Sequence, residues 1–293
     1  MAMAQKLYKQ PLIPRKVRQA FSNGIVYLLL LAGSGFMFFP LFWMISTSLK
    51  TMEEANSPRI TWWPAQPQMD AYVQVLTDDR WLLYFSNSVF VTGLAVTGTL
   101  VSVAAVAYAF SRIQWPGRNL FFFLMLSTLM LPPQTTLVPQ YVVFNKIKWV
   151  GTYNPIIIPG FFAGGALYIF LLRQFMMGLP RELDEAALID GANHFQVWWH
   201  IIMPLCKPAL ATIGVFLFVA HWNSLQAPLI YLQRAEMYTL PVVIANLINP
   251  QVRVQPWPLI MAASALTMIP LIVVFFFTQR YILESVALTG TKG

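Results

Sequence analysis

Charged residues in this chain are gathered into short clusters, and the stretches between them are long and apolar. Six gaps, between Arg18 and Lys50, Arg80 and Arg112, Arg118 and Lys146, Lys148 and Arg173, Lys207 and Arg234, and Arg253 and Arg280, hold 31, 31, 27, 24, 26 and 26 residues without Asp, Glu, Lys or Arg. A helix crosses about 30 Å of hydrocarbon with about 20 such residues, whereas a barrel strand uses about ten of alternating polarity. The pattern predicts six transmembrane helices near residues 25–46, 87–110, 119–139, 156–173, 208–231 and 258–279. An all-α, polytopic membrane protein follows, with a basic tail over 1–24, a membrane domain over 25–279 and a terminal tail over 280–293.

Composition supports that class. The 293 residues are 57% apolar with a mean hydropathy of +0.59, and 10% are charged. A soluble domain carries about a quarter. A soluble enzyme, a secreted disulfide scaffold and a disordered chain are disfavoured together. The single cysteine, Cys206, excludes an intrachain disulfide.

Orientation comes from the loops. The two tails and the loops at 111–118 and 173–207 hold 12 Lys and Arg, against 7 on the other side, so both termini are expected in the cytoplasm. The basic tail reads as an orientation signal suited to anionic lipid rather than as a nucleic-acid site. The first apolar run is longer than a cleaved signal core and so reads as a span. No repeat is visible. The outer loop, 47–86, contains Pro58, Trp62, Trp63, Pro64, Pro67, Tyr72 and Trp81. It reads either as a small ordered structure meeting something outside or as an aromatic belt at headgroup level.

The cytoplasmic loop at 174–207 is patterned differently. After Pro180 the run Arg181 to Gly191 has acids in its first turn and glycine at its end, which predicts a short capped helix with Pro180 at its first position. Asn193 with Gln196 forms a capping-box pattern, and Phe195, Trp198, Trp199 and Ile202 recur at i, i+3, i+4 and i+7. A second, amphipathic helix is predicted, ending before Pro204. Two short helices broken at a glycine are too polar to span and should lie along the cytoplasmic face.

Glu185-Ala186-Ala187, Asp190-Gly191-Ala192, Ile202, Pro204 and Pro208 together resemble the "EAA" loop of the membrane subunits of bacterial ATP-binding-cassette importers, with Met203 where leucine is usual. The carbohydrate-importer, maltose-type branch is suggested by Ser46-Thr47-Ser48-Leu49-Lys50, Asn87-Ser88, Ala107-Tyr108-Ala109-Phe110-Ser111-Arg112, Pro116-Gly117-Arg118, His221-Trp222-Asn223 and Thr239-Leu240-Pro241. Ser224 stands where an acid is common, and the end keeps Lys292-Gly293 without the usual Arg-Gly-Leu-Thr. The resemblance implies a type I importer permease fold, a second homologous permease, an ATP-binding-cassette ATPase dimer holding ATP and Mg, and an extracytoplasmic solute-binding protein. It also implies that the loop's first helix sits in a cleft of the ATPase and carries its closure to the spans. Glu185 and Asp190 would meet polar groups of the ATPase, Ala186 and Ala187 would allow close approach, and Gly191 would turn the chain.

No phosphate loop of the Gly-x-x-x-x-Gly-Lys type occurs, and His194, His200 and His221 lack a second ligand at metal spacing, so no catalytic, cofactor or metal site is expected in this chain. The spans carry no central Asp, Glu, Lys or Arg, which weakens a standalone ion-coupled carrier or channel as the alternative. A membrane-embedded enzyme is a third class. Asn87, Gln134, Gln140, His221, Trp222, Asn223 and Gln226 offer amides and rings suited to a sugar's hydroxyls and C–H faces. Hydrogen bonding between helices would equally explain the amides. Pro132-Pro133 and Pro139 should kink or end the third span.

Overall fold

The computed structural model describes residues 15–290 except 163, 249, 250 and 252; side-chain surroundings are described over 23–281. The part of the expected basic tail over 1–14 and the Lys292-Gly293 end lie outside the described residues. Helix α1, Arg15–Ser48, begins inside the expected basic tail. A cap follows, with short helices α2, Met52–Ala55, and α3, Asp70–Thr77. Helix α4, Asp79–Ser111, is the second span. Helix α5, Arg118–Ser127, continues through a 3-10 turn to Met130, and α6, Pro133–Lys146, leaves it at 101°. The break expected at Pro132-Pro133 is present and divides the third span into two helices, whereas Pro139 lies inside α6 without ending it. Pro133 has no N–H to continue the ladder and holds the residue before it extended.

The fourth span is also interrupted. Helix α7, Asn154–Ile157, and a 3-10 turn to Phe161 precede α8, Ala166–Met177. Such irregular backbone survives at membrane depth where protein covers it. Here α4 covers one side of it, where the Phe161 ring sits against Gly98 so closely that a Cβ there would lie 2.2 Å from it, while Phe162 stays exposed. Next come α9, Glu182–Ile189, α10, His194–Gln196, a π-helical stretch Val197–Ile202 and α11, Met203–Leu205. Helix α12, Lys207–Trp222, is the fifth span and stops at Asn223; α13, Gln226–Tyr231, is separate, so the expected helix through 231 is broken. Helix α14, Leu240–Leu247, precedes α15, Trp257–Gly290, which carries the sixth span and extends helically through most of the expected C-terminal tail.

The fold is all-α. Helix α4 packs on α8 and α12, α12 on α15, and α15 on α1. The main core lies where α4, α8 and α12 converge with the π-helical stretch, and includes Val103, Tyr108, Ile169, Leu172, Met176, Val197, Ile202 and Ile213. Residues 23–40 of α1 are exposed along their whole length.

Candidate functional site

The segment after α8 has the local structure its residues dictate. Glu182, Asp184 and Glu185 occupy the first turn of α9, where carboxylates favour the helix dipole. Arg181, not Pro180, precedes the first helical residue; the proline stands one position further out. At the other end Gly191 takes a left-handed φ of 88°. Its N–H donates to Leu188 O at 3.1 Å and that of Ala192 to Ala187 O at 2.9 Å, the two bonds of a Schellman cap. Asn193 Oδ1 then accepts from Gln196 N at 2.9 Å while Gln196 Oε1 accepts from Asn193 N at 2.8 Å, completing the capping box. A cleft of about 350 Å³ between the two helices is lined by Asp190, Gly191, Ala192, Gln196, His200 and Ile201.

The second helix departs from expectation in two ways. It passes Pro204 and ends at Cys206, where the chain bends by 79° into α12. Met203 N donates to Trp198 O, five residues back. This wide turn reduces the crowding a proline ring meets from the turn before it. The wide turn also rotates the buried face. Val197 and Ile202, five apart, are fully buried and Trp198 packs beside them, whereas Phe195 and Trp199 are exposed at 65% and 55%. The expected stripe is therefore split, and Val197 takes a place in the core that α-helical spacing does not assign to it.

Helix α9 has two faces. Asp184 and Ala187, three residues apart, are half-buried against the bundle, with Ala187 packed on the main core. Glu182, Glu185, Ala186, Ile189, Asp190 and Gly191 are exposed. Of the five residues singled out in the motif, four thus face outward and Ala187 serves close packing within the chain.

A pair missed by sequence reasoning, Arg112 beneath α9 and Asp184 on its inner face, ties this helix to the bundle. Arg112 Nη1 donates to Asp184 Oδ2 at 2.9 Å, and Nη2 donates to Met176 O and Leu179 O. The available signal was an arginine closing the second span and an acid opening the helix after the fourth. Cys206, also buried here, has its thiol pushed up to about 12 by burial, with the nearby Arg112 charge opposing.

The seven residues named for a solute pathway are not gathered into one site. Asn87 Nδ2 donates to Glu236 O at 2.8 Å and Tyr238 O at 3.1 Å, and its neighbour Ser88 accepts from Leu240 N at 2.8 Å. Trp222 is buried, donates from Nε1 to Thr267 O at 3.0 Å and stacks on Phe218. His221 is half-buried on α12. Gln134 and Gln140 are exposed on α6, and Gln226 is exposed on α13. Asn223 lines a cavity of about 550 Å³ with Leu225, Pro241, Ser264, Thr267 and Met268.

At the opposite end the cap is tied to α1. Ser46 Oγ donates to Trp62 O and Lys50 Nζ to Thr61 O, each at 2.6 Å, and Ser48 Oγ lies 2.8 Å from Tyr72 Oη. Burial lowers the Lys50 pKa from its ordinary range, with Glu54 opposing. Trp62 and Trp63 pack against Phe39, Phe42 and Trp43, which places an aromatic cluster at the base of the cap.

A family model described as binding-protein-dependent transport system inner membrane component matches residues 98–287. The chain belongs to this family. Permeases similar to it include the arabinooligosaccharides transport system permease protein AraQ of Halalkalibacterium halodurans, 31% identical over 258 residues that cover 87% of this chain and 91% of the relative. The trehalose/maltose transport system permease protein MalG of Thermococcus litoralis is 32% identical over 259 residues, with coverage of 87% and 91%. In the crystal structure of a bacterial ABC transporter involved in the import of the acidic polysaccharide alginate, one chain matches with a TM-score of 0.78 at 26% identity, covering 93% of this permease and 100% of that chain. The protein is a transmembrane subunit of an ABC-type importer, and the standalone carrier or channel finds no support.

Proposed function

We propose that this permease forms half of the translocation pathway for an oligosaccharide or related polar solute delivered by an extracytoplasmic binding protein. A separate ATPase dimer, which binds ATP and Mg, drives it by docking on the exposed face of α9. The observation that carries this reading is the two-sided character of α9: Glu185, Ala186, Asp190 and Gly191 are exposed on a helix whose other side rests on the core. A helix capped at a left-handed glycine, and followed at once by a capping box, has the rigidity a lever requires.

Relatives named for arabinooligosaccharides and trehalose/maltose support a carbohydrate substrate. The excess of basic residues on the tails and the loop at 174–207 supports placing both termini and α9 in the cytoplasm. The exposed apolar length of α1 supports a place in a bacterial inner membrane, and the second permease of the reading is the companion that the family resemblance implies. On the solute side, Asn223, Ser264 and Thr267 are the polar groups of the cavity of about 550 Å³ between the end of α12, α14 and α15.

The test is purification from the native membrane followed by reconstitution with its companions. An ATPase and a second permease should co-purify, and Glu185→Lys should abolish ATP-dependent uptake while the chain still inserts. Wild-type uptake by Glu185→Lys at normal expression would overturn the proposal.

A further inference from the structure

The docking face of α9 does not account for the group beneath it. Arg112 is the residue at which α4 ends, and its guanidinium reaches two other elements. It donates to Met176 O and Leu179 O, where α8 finishes and turns, and to Asp184 in the first turn of α9. The side chains are withdrawn from water, with exposures of 4% for Arg112 and 14% for Asp184. They are also incompletely matched: Arg112 Nε and Asp184 Oδ1 are buried with no hydrogen-bond partner among the described residues.

Stability alone is a poor explanation for such a pair. Two charges taken out of water lose hydration that their attraction barely restores, and well-packed apolar side chains of similar volume often serve a fold as well or better. What an apolar pair cannot supply is direction. The guanidinium is a planar fork whose donors point along fixed lines, so three simultaneous acceptors fix the position of each element relative to the others. The link from α8 to α9, residues 178–181, contains a glycine and a proline and has little packing of its own beyond Leu179. Without a bridge across it, a push on α9 would be absorbed by rotation in that link.

We propose that Arg112 is a positioning residue for the lever: it locks α9 to the ends of α4 and α8, so that displacement of α9 moves both spans together. The inference rests on the reading of α9 as the ATPase dock. It adds that coupling runs through one guanidinium on a different cytoplasmic loop, at the end of the second span.

The experiment compares the complete wild-type complex in proteoliposomes with Arg112→Met, Arg112→Lys, Asp184→Asn and the double variant Arg112→Met with Asp184→Leu. The readout is solute taken up per ATP hydrolysed, a ratio that a merely structural loss of active complex does not move. Arg112→Met and Asp184→Asn should each lower the ratio on the order of tenfold. Arg112→Lys, which keeps the charge but loses the fork, should lie between them and wild type. The double variant removes both charges and so relieves the unpaired ion that could prevent Arg112→Met from folding, yet its ratio should stay as low as that of Arg112→Met. A double variant that couples like wild type would overturn the clamp and leave the importer reading intact. A wild-type complex whose uptake ignores ATP would overturn both.

Discussion

The two ends of this bundle are fastened by different chemistry. At the end bearing α9, three elements meet on one buried guanidinium opposite a carboxylate. At the other end the joints are mostly neutral: Asn87 and Ser88 hold the strand of chain around Tyr238 and Leu240, and Ser46 and Ser48 hold the cap. The exception, Lys50, also donates to a backbone carbonyl rather than pairing with an acid. Hydroxyls and amides bonded to backbone set a loop in place at modest cost when one is lost, because each joint is separate. A shared guanidinium makes its joints interdependent, so one substitution disturbs all of them. A connection that must carry displacement benefits from the second arrangement, and a cap that must stay put from the first.

The largest effect that would sharpen this contrast is expected from Gly191→Pro. Proline cannot take a φ of 88° and has no N–H to give to Leu188, so the helix pair should lose its fixed angle and uptake should fall to background, measured in reconstituted complexes. Next is the core beneath the lever. Ile202→Ala should destabilise the complex by about 2–5 kcal/mol in thermal or denaturant unfolding. Trp199→Ala, on the exposed side of the π-helical stretch, should cost within about 0.5 kcal/mol. Equal losses would break the assignment of the buried face.

At the neutral end, Asn87→Ala leaves two carbonyls without their donor and should cost about 1–3 kcal/mol, read as a lowered midpoint of unfolding with the coupling ratio unchanged. The smallest effect concerns Cys206. Its thiol ionises later in the folded protein than its ordinary 9.0, so the unfolded chain gives up its proton first. The associated stability is whole below that value and drains away as pH rises toward 12. At about pH 8 a maleimide should label Cys206 slowly in the folded complex and quickly once it is unfolded; fast labelling of the folded form would contradict its burial.

What could be read from the chain was local. The charge-free gaps marked the approximate places of the spans, four of them single candidates and two of them bent pairs, because hydrocarbon thickness fixes their length. The cap at Gly191 and the capping box at Asn193 were legible because their partners lie within a few residues. Several family motifs were visible as words without partners. Ser88 of one motif accepts from Leu240 of the other across 152 residues, Asn87 donates to Glu236 and Tyr238 just ahead of that second motif, and no periodicity carries such information.

The sequence by itself determined an all-helical membrane protein with a polar, two-helix interruption after the fourth span, since patterning and capping act over one or two turns. Only the tertiary structure decided where the fourth and fifth spans break, which face the π-helical stretch buries, and that Arg112 meets Asp184 from 72 residues away. Those outcomes depend on which helices pack together, because a buried charge or an irregular turn is tolerable only when a distant part of the chain supplies its partner or its cover.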